Sequence, residues 1–408
     1  MIFNFLINLS KKYEDPDHPL LGPNLKGLYA VGLLHNKNKY VRNMYKCLHL
    51  SGIIFVSTQF FDLYLNRKNY NKVFLNLSIT GLSFVSHSKN ICCIAMQSRI
   101  TKLNQSISEE EIFALRSGNA IVVKLMNKYT TYVRAMTSFY WIVVLMTFII
   151  TVTSPFIKYA VHSSHVEAIK NDTESYPTIL CSWFPFDDEK MPGYLLANLC
   201  HLFMTILGAT GVGAFDTYAC AITTFLKGQI LILREKCRSV FEDDSENLTK
   251  HEFLMRIKEC HRHHNKILWQ HKIFNSIISP VMFIYVLFCS ITICCNIVQL
   301  SLGKVSVVEQ CFVMEYAVAL LIQLFMFCWH SNEVTLASNV LDRGVYESSW
   351  WKGDVRERKL LLLLAGKMSR PLIMGAGPFT ELSVSTFIDI LRATYSFYAL
   401  FTQLQDKR

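Results

Sequence analysis

His261-Arg-His263-His264, with His271 after it, is the densest set of candidate metal ligands in the chain. Imidazoles at this spacing could hold iron on one helix face, as several histidine boxes do in membrane di-iron enzymes. One cluster with no second or third supplies too few ligands for that chemistry. It reads as a solvated helix face, and neither an enzyme activity nor a cofactor follows from it. The thirteen cysteines show no repeated CxxC pair at zinc spacing, and many lie inside apolar runs, where a thiol behaves as a small hydrophobe.

Ionisable groups inside apolar stretches are costly and usually functional. His201 lies near Tyr194, Asn198 and Thr205 at helical spacing. Two readings stand: a histidine bonded to a neighbouring helix, or a polar contact in a ligand cavity. Glu315 reads as a water-interface residue. Asp389 and Arg392, at i and i+3, can pair with each other or with adjacent helices. The last apolar stretch, Ser383 to Gln403, carries Thr394, Tyr398 and Thr402 at i, i+4 and i+8, so a helix presents them along one narrow face. Such a hydroxyl face suits either a wet, shared axis or bonds to neighbouring helices.

The elements that must position these residues are apolar helices. Hydrophobic residues make up 51% of the 408 positions and charged residues 18%, against a usual quarter. The apolar residues arrive in blocks long enough to cross a bilayer. The spans expected are about Tyr40 to Leu65, Val73 to Ile94, Met136 to Tyr159, Tyr194 to Leu226, Phe274 to Leu302 and Val308 to Trp329, then a broken seventh. The break comes from Arg370-Pro371 and Gly375-Ala-Gly-Pro378, between a short run at Leu360 to Ala365 and the last stretch. Between spans two and three, Ser106-Ile-Ser108 followed by Glu109-Glu-Glu111 reads as a helix start, with Ser108 and Glu111 as a capping box. Residues 227–269 carry nine Lys or Arg and read as cytosolic helix.

The net charge of +10 follows topology, not nucleic acid. Roughly two dozen Lys and Arg lie in the N-terminal segment and in the loops after spans two, four and six, and the opposite loops carry fewer than half as many. The positive-inside rule then puts the N-terminus in the cytoplasm and, with seven spans, the C-terminus outside. That is opposite to a G-protein-coupled receptor. Asn171-Asp-Thr173 falls in an outer loop as a glycosylation candidate, whereas Asn247-Leu-Thr249 falls inside. The N-terminal stretch lacks the basic start and small-residue cleavage site of a secretory signal and reads as a cytosolic lead-in.

The C-terminus resembles that of the insect odorant receptors. The likeness rests on Arg370-Pro371-Leu372, Ala376-Gly377, Phe379, Leu382-Ser383, Thr386-Phe387 and Thr394-Tyr395-Ser396-Phe397-Tyr398. After Thr394-Tyr395 the chain departs from the family's co-receptor motif, and it lacks that subunit's long acidic insertion between spans four and five. The resemblance is therefore to a ligand-tuned subunit.

It implies an all-α polytopic membrane protein of seven helices, acting as an odorant-gated, non-selective cation channel subunit in a tetramer with a co-receptor. The plasma membrane of an olfactory neuron's dendrite or cilium is the implied location. A small volatile ligand is expected among Phe74, Thr80, Phe148, Thr151, Tyr194, Asn198, His201, Thr205 and Tyr316, with Phe312 nearby, in the outer half of the bundle. A pore wall is expected at Thr394, Tyr398, Phe401 and Thr402. The implied layout is a cytoplasmic segment at 1–39, helices one to four at 40–226, an anchor region at 227–269, helices five and six at 270–332, a second anchor region at 333–370, and the pore helix with a short tail at 371–408. Partners are the co-receptor, the volatile and membrane lipid, with no nucleic acid and no metal. A gustatory-type receptor channel shares the topology and the Thr-Tyr signature and stays open as the alternative.

Overall fold

The computed structural model describes residues 15–34, 38–68, 70–161, 176–188, 190–241, 249–301 and 307–405. Asn171 and Asn247 lie outside them. The architecture is helical, in the order α1 (Gly22–Ala30), α2 (Lys39–Leu65), α3 (Tyr70–Ala95), α4 (Gln97–Leu115), α5 (Ala120–Val161), α6 (Gly193–Arg238), α7 (Lys250–Ser301) and α8 (Val307–Ser338). Then come α9 (Val355–Met368), a hairpin of two short strands, β1 (Gly375–Ala376) and β2 (Thr380–Glu381), and α10 (Val384–Gln405).

The helices run well past the expected spans, because their polar ends pack on one another. Two ion pairs join these extensions, Lys227 with Glu333 and Lys236 with Glu259 at 2.8 Å, and Arg234 of α6 pairs at 2.5 Å with Glu347 in the connection after α8. In α6 almost every residue from Gly211 to Leu233 is buried, as expected of a helix surrounded by protein on all sides. α3, α6 and α8 pack against α7.

Among the described residues, five helices are long and apolar enough to cross a membrane, and neither α3 nor α10 is among them. The reason is visible in α3. Asn76, Ser78, Thr80, Ser86, His87, Lys89 and Asn90 are all buried inside the bundle. A helix shielded from lipid by its neighbours can carry polar groups that find protein partners.

Two expectations are corrected. No helix opens at Ser106. α4 starts at Gln97, so Ser108 and Glu111 sit in its interior, and the side chain of Ser108 bonds His18 Nδ1 instead of capping. Nor is the histidine cluster wholly a solvated face. His261 is exposed, but His263 and His264 are buried, and His263 Nε2 lies 2.9 Å from Gln229 Oε1. α7 has neighbours on two sides there, so these two histidines point into protein.

The hairpin forms where proline and glycine end α9. Gly377 has φ +72°, and a Cβ there would come within 2.8 Å of the Phe283 ring. Its N–H donates to the Ser279 hydroxyl at 2.9 Å, and Gly375 N–H donates to Asn275 Oδ1 at 2.9 Å. The hairpin is thus fixed to α7 beside Pro280. α10 then starts from Ser383, whose hydroxyl accepts from Thr386 N–H at 3.2 Å, an N-cap interaction.

Candidate functional site

A cavity of about 140 Å³ lies among α2, α3, α5, α6 and α8. That is close to the roughly 150 Å³ of an apolar protein cavity that holds benzene. Its walls are Ile79 and Leu82 from α3, Val143, Val144 and Phe148 from α5, Met204, Ala209 and Val212 from α6, and Phe312, Ala319 and Leu320 from α8. Phe55 of α2 and Leu180 of the 176–188 segment close one end.

Of the expected ligand residues, Phe148, Thr151, Thr205 and Tyr316 line this cavity, as does Phe312. Phe74, Thr80, Tyr194, Asn198 and His201 do not. Thr80 follows Ile79 by one residue, about 100° around the helix, and donates to Asn76 Oδ1 at 2.7 Å. Phe74 lies five residues before Ile79, about 140° away in projection.

Tyr194, Asn198 and His201 hold the 176–188 segment instead. The Tyr194 hydroxyl donates to the Pro177 carbonyl at 3.0 Å, and Ile179 N–H donates to Asn198 Oδ1 at 3.2 Å. Leu180 N–H points at His201 Nδ1 across 3.5 Å, so Nδ1 is the acceptor and Nε2 carries the proton donated to Ser182 Oγ at 2.7 Å. His201 therefore sits behind the wall formed by Phe55 and Leu180 and has no contact with the space inside it.

The polar end of the cavity was not foreseen. Tyr140 and Gln323 both line it, and both bond Asp216 Oδ2, the tyrosine hydroxyl at 2.6 Å. Asp216 Oδ1 accepts from Lys89 Nζ at 2.7 Å, and the ammonium lies 4.7 Å from the Tyr285 ring centroid and 5.3 Å from that of Phe327. This is a fully buried ion pair with aromatic cover. The signal was available: Lys89 and Asp216 are opposite charges stranded in two separate apolar stretches.

Glu315 is no simple interface residue either. Its Oε1 accepts from the Thr147 hydroxyl at 2.7 Å, across the α5–α8 contact.

In the hydroxyl stripe expected on α10, Thr394 is 3% exposed and faces the chain's own bundle, and its hydroxyl donates to the Ile390 carbonyl at 2.8 Å. The free face of α10 holds Ile388, Arg392, Tyr395 and Leu400. Asp389 and Arg392 lie on the exposed surface 3.8 Å apart. Tyr398 is half-buried, and of Phe401 and Thr402 only the helical backbone is described.

Residues 69–395 match the family described as 7tm Odorant receptor. Odorant receptor 46a, isoform B, of Drosophila melanogaster is 26% identical over 215 residues, which is 51% of this chain and 54% of that protein. Odorant receptor Or2 of Anopheles gambiae is 22% identical over 213 residues, 51% of this chain and 56% of that one. The matched stretch thus spans about half the length of these curated relatives. In fold, the chain is similar to the insect olfactory receptor OR5 from Machilis hrabei in complex with eugenol. The TM-score is 0.80 at 15% identity, covering 99% of this chain and 100% of that one.

Proposed function

Because this chain belongs to the 7tm Odorant receptor family, we propose that it is an odorant-gated, non-selective cation channel subunit that binds a small volatile in the described cavity. The observation that carries the reading is the cavity itself: lined by five helices, apolar on most of its wall, and sized for about one ring. Volatile odorants are small and poorly hydrated, and such a space binds them by removing apolar surface from water. Binding shifts the channel toward opening only by the difference in affinity between its closed and open states.

The odorant receptor of solved structure was bound to eugenol, a ligand of comparable character. In this reading Phe148, Thr151, Thr205 and Tyr316 contact the ligand. Tyr194, Asn198 and His201 set the shape of the wall from behind.

The rest of the assembly is part of the same proposal. Seven spans place the N-terminus in the cytoplasm and the C-terminus outside, in the membrane of an olfactory neuron. The tetramer includes a co-receptor. The ion-paired extensions of α6, α7 and α8, with residues 333–370, form its cytoplasmic anchor. What supports assembly is the exposed face of α10. Asp389 and Arg392 side chains are 65% and 77% exposed, and charges left facing hydrocarbon are costly. A shared, water-filled axis relieves that cost, with Tyr398 and the helix end near the conduit.

The test is co-expression with an insect odorant co-receptor and recording of odour-evoked current. A current that requires both subunits and disappears in Ala209→Phe, which fills the cavity, is expected. Equal currents from chain and variant, or activation only by soluble tastants, reject the reading in favour of another site or of a gustatory-type channel.

A further inference from the structure

Five of the seven hydroxyl groups that line the cavity have already spent their protons. The Tyr140 hydroxyl donates to Asp216, Ser86 to the Gly208 carbonyl at 3.1 Å, Thr147 to Glu315, Thr205 to the His201 carbonyl at 2.7 Å, and Tyr316 to the Ser78 carbonyl at 3.3 Å. Among the described residues, Ser83 and Thr151 are the lining hydroxyls with no such bond. A hydroxyl that has donated keeps only lone pairs to offer a ligand.

Gln323 is the decisive case. An amide can ordinarily turn over to present either its N–H₂ or its carbonyl. Here it cannot. Its Nε2 carries two N–H groups, one bonded to Asp216 Oδ2 and the other to the Tyr140 hydroxyl oxygen, and a carboxylate only accepts, so the nitrogen must face these two and the carbonyl is what Gln323 has left for the cavity. The orientation is held in turn by Lys89, which occupies the other carboxylate oxygen.

We infer that this cavity selects volatiles that donate a hydrogen bond, alcohols and phenols, over acceptor-only ethers and esters, with Gln323 as the specificity-determining residue and the Lys89–Asp216 pair as its positioning device. The inference rests on the odorant-site reading above. A ligand without a donor leaves the buried Gln323 carbonyl unpaired, whereas a hydroxyl satisfies it.

Matched probes differ by one methyl group: benzyl alcohol and benzyl methyl ether, para-cresol and para-methylanisole, hexanol and hexyl methyl ether. Each is applied to cells carrying the full chain with a co-receptor. The hydroxyl member of each active pair is expected to be about tenfold more potent than its ether. In Gln323→Met, of similar length but without the carbonyl, the ratio is expected to fall to about one. Equal or better response to ethers in the unaltered chain overturns the inference while leaving the odorant site standing. So does a preserved ratio in Gln323→Met. The comparison on the unaltered chain stands whether or not the variant reaches the surface. Silence to every probe rejects the odorant-site reading itself, and the inference falls with it.

Discussion

Lys89 Nζ and Asp216 Oδ1 lie 2.7 Å apart, with their side chains 0% and 2% exposed. They join α3 to α6 at the polar end of the cavity. Burial strips both of water, and the pair is tolerated because each partner is also held elsewhere: Lys89 under Tyr285 and Phe327, Asp216 by Tyr140 and Gln323. Removing one charge strands the other. Lys89→Met or Asp216→Asn is therefore expected to cost roughly 3–5 kcal/mol and to abolish surface delivery. The double change Lys89→Met with Asp216→Leu is expected to recover a substantial part of that. A glycosylation-independent surface label, read for all three, checks it; a double variant no better than the singles overturns it.

Glu111 gives a pH dependence to the docking of the N-terminal segment. Burial pushes its carboxyl from the usual value of 4.5 up to about 7, against the opposing pull of the Leu20 backbone N–H and Arg134. The folded state thus holds this proton where the unfolded chain has lost it. The contribution is complete below pH 4.5, is lost as pH rises through 4.5 to about 7, and then stays lost. The size is on the order of 3 kcal/mol. Glu111→Gln is expected to remove this dependence and to tighten the segment at neutral pH. Hydrogen exchange of residues 19–30 at pH 5.5 and 7.5 reads it; an unchanged pH profile in the variant sinks the assignment.

His201→Ala should act through the wall and not through contact with a ligand. Loss of the bonds to Ser182 and Leu180 frees the 176–188 segment, at roughly 1–3 kcal/mol locally. Potency is expected to fall similarly for all volatiles, because Leu180 shifts, while the rank order of ligands stays the same. Dose–response curves over a ligand panel decide. A reordered ranking would place the imidazole inside the cavity.

Gly377 and Gly118 share a left-handed backbone, φ +72° and +69°, in different surroundings. A Cβ at Gly118 meets nothing within 4 Å, whereas one at Gly377 meets the Phe283 ring at 2.8 Å. Gly118→Ala is expected to cost only the backbone strain, about 1 kcal/mol. Gly377→Ala adds the clash, displaces the hairpin from Ser279 and is expected to cost distinctly more. Thermal unfolding of the two variants in detergent gives the comparison, and equal losses would mean that the hairpin yields freely.

The helices, the break before α10 and the membrane class were legible in the sequence. They depend on local causes: blocks of apolar side chains, the proline at 371 and the glycines at 375 and 377. The end motif around Thr394-Tyr395 was legible too, and the match over residues 69–395 agrees with it. The polar extensions of α6 and α7 were legible as helix over 227–269 too; their ion pairing with one another was not, because it is a tertiary contact.

What only the tertiary structure decided is the direction in which each polar side chain faces. One residue of error turns a side chain by about 100°, and composition fixes no rotation of a helix about its axis. That is why Thr394 faces its own bundle. Height along the axis is no more legible: Thr205 reaches the cavity, and His201, one turn earlier on the same face of α6, stops behind Phe55 and Leu180. Lys89 and Asp216 stand 127 residues apart, and no local pattern links them. Their pairing exists only because α3 and α6 are packed side by side in a place where water cannot serve either charge.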